Sequence, residues 1–283
     1  MKLLDKNARL ASADVSLRDM EYRGHELSAN VSMLFTELPY PERFAAAAAA
    51  GFRVVESWWP FAVPDPSVSA IDDFVRLVSA SGVSLGALNF YGGDIAGGER
   101  GVASHPDRQE QLAANMSAMV GIAERTGCRL FNLLYGQLDD RWSPDEQAKT
   151  ALDAIRSAAA AVGAVGGTVL IEPLAEGLNG RYPLLTADDV LRVIAAVQDV
   201  DNLSMLFDTF HLGSNGVDLL ATAASVPVAH IQLADSPGRG EPGSGSLPIT
   251  ATLDALKAAG YQGVAACEYK PTTDALTSLA WLD

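Results

Sequence analysis

The sequence predicts a closed parallel (β/α)8 barrel of the TIM type, an α/β fold, and three observations carry that prediction. Short apolar runs alternate with alanine-rich amphipathic stretches from Leu27 to the end of the chain. The runs are rich in Val, Ile or Leu, as strands buried on both faces are. Eight such units in about 250 residues fit a barrel better than an open sheet. The open doubly wound alternative also lacks its signature, because the first strand runs into Ser32-Met33-Leu34-Phe35 and not a glycine-rich phosphate turn.

Residues 1–26 are expected to form an extension, and 27–283 a single catalytic barrel. The first strand is expected at Leu27–Met33, then a helix at Pro41–Ala50 with a first-turn proline and Gly51 as its stop. Phe52–Glu56 precedes a helix at Val68–Ser81 ended by Gly82, and Val83–Asn89 precedes one at Asp107–Thr126 ended by Gly127. Arg129–Leu133 leads to Pro144–Val165, again opened by proline. Thr168–Glu172 and Leu203–Asp208 flank a helix at Ala187–Gln198. Asp218–Ala224 precedes the strand Ala229–Leu233, and Ile249–Ala259, ended by Gly260, precedes Val264–Glu268.

The 283 residues include 35 acidic and 20 basic ones, a formal charge of −15. That balance leaves no basic stripe, so nucleic acid is not an expected partner. Hydrophobic residues at 48% against 19% charged exclude intrinsic disorder. No run approaches the ~20 apolar residues of a membrane span, so no membrane partner is expected. Met1–Glu26 lacks the apolar core of a secretory signal, and two cysteines cannot build a disulfide framework. A cytoplasmic enzyme is the expectation.

Chemistry in such barrels sits at the C-terminal ends of the strands. Those ends read Glu56, Asn89, Glu172, Asp208, Gln232 and Glu268. The last four follow apolar runs on successive strands, so each side chain should enter the barrel mouth. Three carboxylates in one pocket repel one another unless a cation neutralises them. A hard divalent ion such as Mg²⁺ or Mn²⁺ suits that set, with Gln232 adding a neutral carbonyl oxygen. Strand parity turns Cys267 away from the mouth and places His230 a layer below Gln232, as packing and core residues. His211, three residues past Asp208 on the loop leaving its strand, is expected near the substrate.

Several segments resemble the hydroxypyruvate isomerase family of xylose-isomerase-like barrels. They are Ser28–Phe35, Gly98-Glu99-Arg100-Gly101, Ile171-Glu172-Pro173, Asp208-Thr209-Phe210-His211, Gly263–Pro271 and, above all, His230–Asp235 with Pro237–Gly245. The resemblance spans Leu27 to Asp283. It implies a metal-dependent isomerase of small hydroxy-oxo acids, interconverting hydroxypyruvate and tartronate semialdehyde or isomerising 2-oxo-tetronates. It further implies metal ligands at Glu172, Asp208, Gln232 and Glu268, with Glu172 and Glu268 as the acid/base pair. The chain resembles sugar 3-epimerases more weakly, since it has Gln232 where they carry His and Leu178 where they carry a substrate-binding Glu. It departs from many isomerases at Ala175, where they have Asn.

Arg239, in a loop of glycine and proline, is expected either to hold a substrate carboxylate or to pair with Glu241 at the surface. Arg100 and Lys270 are next in line for that carboxylate. The glycine-rich stretch Gly92–Gly101 reads as a lid or an ordinary loop. Trp58, Trp59 and Phe61 suit an apolar wall, the core, or a contact between subunits of a homo-oligomer. A phosphodiesterase of the endonuclease type would want more than the four histidines present and a basic surface. A noncatalytic sugar-acid sensor could dispense with one glutamate, and both are retained.

Overall fold

The computed structural model describes residues 20–283. Nine strands run in sequence order around one sheet: β1 Glu21–Tyr22, β2 His25–Asn30, β3 Val54–Ser57, β4 Ser84–Asn89, β5 Leu130–Asn132, β6 Thr168–Ile171, β7 Leu203–Asp208, β8 Val228–Leu233 and β9 Ala265–Cys267. Strands β2 to β9 pair in parallel, and β9 returns to β2 through Leu27↔Ala265, Ser28↔Ala266 and Ala29↔Cys267. The barrel is closed and eight-stranded, as the alternation predicts. Both faces of the sheet are buried: Val55, Leu88, Phe131, Val169, Phe207 and Ile231 on the helix side, and Ala87, Leu170, Leu206 and Ala266 on the other.

Around it lie α1 Tyr40–Ala49, α2 Val68–Ser81, α3 Gln109–Thr126, α4 Pro144–Gly163, α5 Ala187–Ala196, α6 Thr209–Ser214, α7 Leu219–Ser225, α8 Ile249–Ala258 and α9 Ala275–Ser278. Caps define their starts: the Ser67 and Ser143 hydroxyls accept from Ala70 and Glu146 N–H, and Thr186 with Asp189 forms a capping box. Gly82 and Gly127 end α2 and α3 with φ of 78° and 79°, a left-handed turn that glycine adopts without strain. Among the described residues no helix is long and apolar enough to cross a membrane.

Three departures from the sequence reading matter for the site. The first barrel strand runs His25–Asn30, earlier than the expected Leu27–Met33, because Asn30 turns the chain. Its side-chain oxygen accepts from Ser32 N–H at 2.9 Å and its carbonyl from Leu34 N–H at 2.8 Å. Of the expected extension, residues 1–19 lie outside the described residues. Residues 20–26 form the short β1–β2 hairpin, which ties to α8 through Tyr22–Thr250, Arg23–Asp254 and His25 to the Leu253 carbonyl. Finally, the segment after Asp208 is not a loop. It is α6, with Asp208 as its N-cap, which puts His211 on a helix.

The ladder shifts register at Val55/Glu56 and at Met205/Leu206, just ahead of two strand-end carboxylates. Such irregularities re-aim the side chains that follow them.

Candidate active site

The four strand-end residues of the second half of the barrel are all buried: Glu172 4%, Asp208 0%, Gln232 2% and Glu268 3% exposed. Asp208 and Gln232 are register partners on β7 and β8, while Glu172 and Glu268 begin the loops after β6 and β9. Glu172, Asp208 and His211 form a buried triad able to hold a metal ion, with ligand atoms within 4.8 Å of one another. His211 Nε2 stands 3.7 Å from Glu172 Oε1 and 3.8 Å from Asp208 Oδ2. Glu268 joins through Arg239, whose Nη2 lies 3.1 Å from Glu268 Oε1 and 3.4 Å from Asp208 Oδ2. Arg239 therefore does not pair with Glu241, which instead accepts from Thr272.

The loop that carries Arg239 is fastened by Asp235, itself buried. Its carboxylate accepts from Ser236, Gly243 and Leu247 N–H at 2.8, 2.9 and 2.9 Å. Arg239 takes a left-handed φ of 59° and stacks its guanidinium 5.4 Å from the Phe210 ring centroid.

Burial dominates the electrostatics. It pushes Glu172 up to about 8, with the Asp208 charge adding to the rise and the Asn132 amide opposing it. Burial likewise raises Glu268 well above the usual carboxylate range, against the pull of Arg239. His211 falls to about 4, again through burial, and is neutral at physiological pH. For Arg239 burial opposes the charge, but the carboxylates of Glu268, Asp208 and Glu172 outweigh it and hold the guanidinium protonated.

These side chains open into a cavity of about 140 Å³, walled by Trp58, Trp59, Phe61, Tyr91 and Leu174, with Arg100 and Arg239 as its cations.

Residues 44–283 match the family model of the xylose-isomerase-like TIM barrel. The hydroxypyruvate isomerase of Escherichia coli is 30% identical over 258 residues, covering 90% of this chain and 97% of the relative. The 2-oxo-tetronate isomerase of Haemophilus influenzae matches to the same extent, 30% over 258 residues, 90% and 97%. A Streptomyces coelicolor protein assigned to the hydroxypyruvate isomerases is 40% identical over 271 residues, 93% of this chain and 97% of its own. The chain belongs to the hydroxypyruvate isomerase family.

Solved structures agree on the architecture. A Brucella melitensis protein described as an AP endonuclease of family 2 superposes with a TM-score of 0.82 at 28% identity, over 91% of this chain and 97% of that one. D-psicose 3-epimerase of Clostridium cellulolyticum gives 0.67 at 20% identity, over 86% and 84%, a likeness of fold alone.

For a hydroxypyruvate isomerase family member, several residues around the site were not evident in the sequence. Glu56, noted as a strand end without a role, accepts from Asn30 Nδ2 and Gln232 Nε2 at 2.9 Å each, and pairs with His230 Nε2. Asn132 donates to Glu172 Oε2 at 2.7 Å. Trp58, expected as an apolar wall, a core residue or a subunit contact, donates its indole N–H to Glu268 Oε1 at 3.0 Å. Asn179 brings a buried amide to the cavity wall and donates to the Ala175 carbonyl at 3.0 Å. Cys267 and Cys128 are packed into the apolar core, where burial raises both thiols, Cys128 to about 12. Neither is available as a nucleophile.

The glycine-rich stretch is a braced wall and not a free lid. Gly101 N–H bonds Gly92 O at 2.8 Å, Glu99 N–H bonds Asp94 O at 2.9 Å, and Glu99 pairs with Arg108 at 2.9 Å. A side chain at Gly101 would meet the Leu134 carbonyl oxygen at 2.3 Å, so the loop can lie this close only with glycine there.

Proposed function

We propose that this protein isomerises a small hydroxy-oxo acid, converting hydroxypyruvate to tartronate semialdehyde or acting on a 2-oxo-tetronate, through an enediolate. The observation that carries the reading is the pair Glu172 and Glu268. They come from the fifth and eighth barrel strands, line one small cavity, and both rise above the usual carboxylate range. Acids tuned towards neutrality are what proton transfer between adjacent carbons requires.

In this reading one glutamate takes a proton from C3 of hydroxypyruvate and a proton returns to C2. The hydroxyl proton passes from the C3 oxygen to the C2 oxygen, so the carbonyl and hydroxyl exchange places. Trp58, Trp59 and Phe61 keep water off the intermediate.

A divalent metal, Mg²⁺ or Mn²⁺, fits the donor set of Glu172, Asp208, Gln232 and Glu268. The fit rests on two orphaned acceptors: Gln232 Oε1 and Glu268 Oε2 are buried and accept no hydrogen bond. Buried oxygens are seldom left bare without an ion or water to serve. Bound there, the ion would polarise the carbonyl and stabilise developing charge on the two oxygens. His211 is better read as a donor than a ligand. Its Nδ1 accepts from Ala175 N–H at 3.0 Å, so the neutral ring carries its proton on Nε2, facing the site. His211 and Arg239 then contact the substrate's oxygens. The buried, unpaired thiols accord with a cytoplasmic setting.

The test is an NMR screen of hydroxypyruvate, 2-oxo-tetronates and neutral ketoses in D₂O with Mg²⁺ or Mn²⁺. Conversion of the acids with deuterium at the product carbon is the expected result. Preference for neutral ketoses would favour the epimerase reading, and complete absence of solvent deuterium a hydride shift.

A further inference from the structure

Resting on that reading, we infer that Arg100 is the residue that recognises the substrate's carboxylate and so selects acids over neutral ketoses. A small acid brings a negative charge towards three buried carboxylates, and its approach needs a fixed cation that those carboxylates have not already claimed. Of the three cations that the sequence offers, two are unsuited. The charge of Arg239 is already matched by Glu268 and Asp208, which share its Nη2, so it offers no uncompensated charge to an acid even though its other donors can meet the substrate's oxo and hydroxyl oxygens. Lys270 is exposed and does not line the cavity.

Arg100 lines the cavity, and among the described residues no carboxylate pairs with it. Its known partners are all neutral. Nε donates to Asn179 Oδ1 at 3.0 Å, and Nη1 to the carbonyls of Ile95 and Glu99 at 3.0 and 2.7 Å. Those bonds use three of the five guanidinium donors and leave both N–H groups of Nη2 without a partner. Glu99, the acid next to it in sequence, is taken by Arg108. A half-buried cation held by neutral groups alone is poorly compensated. Burial and the nearby Arg239 charge both work against its protonation, and its own field reaches His211. An incoming carboxylate would relieve that imbalance.

The mount is rigid. Asn179 is buried, donates to Ala175 O at 3.0 Å, and its own carbonyl accepts from Gln137 Nε2 at 2.9 Å; the same Gln137 nitrogen holds Gly98 O at 3.0 Å. Gln137 and Asn179 thus clamp the Arg100 loop to the loop after β6. Such preorganisation lowers the entropy cost of gripping a small anion.

The test compares Arg100→Ala and Arg100→Lys with the wild type, in the presence of Mg²⁺. Hydroxypyruvate and dihydroxyacetone differ only in a carboxylate against a hydroxymethyl group. In Arg100→Ala the KM for hydroxypyruvate should rise roughly 10²-fold, the loss falling on KM more than kcat. Dihydroxyacetone, measured as substrate or competitive inhibitor, should bind as before, and Arg100→Lys should recover only part of the acid affinity. Calorimetric titration of unreactive tartronate gives the same comparison without turnover. Equal loss against acid and neutral ligands would make Arg100 a brace of its loop, and unchanged tartronate binding would place the carboxylate contact elsewhere. Either overturns the inference while leaving the isomerase reading intact. A wild type that binds tartronate through Arg100 yet isomerises no acid would overturn the isomerase reading instead.

Discussion

The two halves of the barrel place glutamates at strand ends in opposite ways. In the first half, Glu56 has both carboxylate oxygens occupied, Oε1 by Asn30 and Gln232 and Oε2 by His230. In the second half, Glu172 accepts from Asn132 on Oε2 only, and Glu268 accepts from Trp58 and Arg239 on Oε1 only. Each keeps one oxygen, Glu172 Oε1 and Glu268 Oε2, that accepts no hydrogen bond. All three are equally buried. On the proposed reading, what separates a supporting carboxylate from a reactive one is the number of donors that reach it, not its depth. A saturated carboxylate has nothing left for a metal or a proton in transit, whereas a half-saturated one is oriented and still available.

The contrast can be broken most severely on the second half. Glu172→Gln and Glu268→Gln each keep an oxygen but lose the exchangeable proton, and turnover should fall by about 10²–10⁴-fold with the fold unchanged. Steady-state assays with metal binding measured in parallel check this. Near-normal turnover in either variant would reduce that residue to a ligand.

A smaller effect is expected from the first half. Glu56→Leu keeps most of the volume but removes the oxygen that accepts from the Gln232 amide nitrogen and fixes that side chain. Metal affinity should drop by roughly 10–100-fold, as for other residues that orient ligands. Saturating metal should restore most of the rate, which it would not do for Glu172→Gln. Titration with Mn²⁺ followed by electron paramagnetic resonance separates the two behaviours.

The smallest effect is on stability, and its sign follows from the raised carboxylate. Glu172 titrates near 8 in the folded protein against an ordinary value of 4.5. Between those values the folded state holds the extra proton, so stability falls as pH rises through that window. The melting temperature of the metal-free protein should decline from pH 5 to pH 8. Added divalent ion should recover it at pH 8, where the carboxylates are free to bind it. A melting temperature that climbs over that range in chelator would contradict the assigned environment.

Much of this architecture was legible in the sequence, because it is written in local pattern. Apolar runs ending in a single polar residue marked β6, β7 and β8, and with them Glu172, Asp208 and Gln232. The turn at Asn30 and the helix α6 were not, since a six-residue helix shows no periodicity and its cap, Asp208, reads equally well as a strand end. The contacts that divide the glutamates into two kinds were also invisible. Glu56 meets His230 across 174 residues of chain, and Trp58 meets Glu268 across 210. Nothing in local composition encodes such pairings; they arise only when the barrel closes. Arg100 shows the same limit, because its value lies in which acids do not reach it.

The Asp235 clamp has a consequence for altering the enzyme's selectivity in the laboratory. One side chain holds residues 236, 243 and 247, so the arch between them is a cassette with its two ends stapled to a single point. Ser244 and Ser246 lie on its exposed outer side, whereas a side chain at Gly245 would strike the Ser236 carbonyl at 2.4 Å and Asp235 at 2.6 Å. Randomising those two serines, with Asp235 and Gly245 kept, would vary the outer face of the arch while Arg239 stays where it is. The same library built on Asp235→Ala would lose its frame of reference, and its hits would report a displaced arginine instead of a changed outer surface.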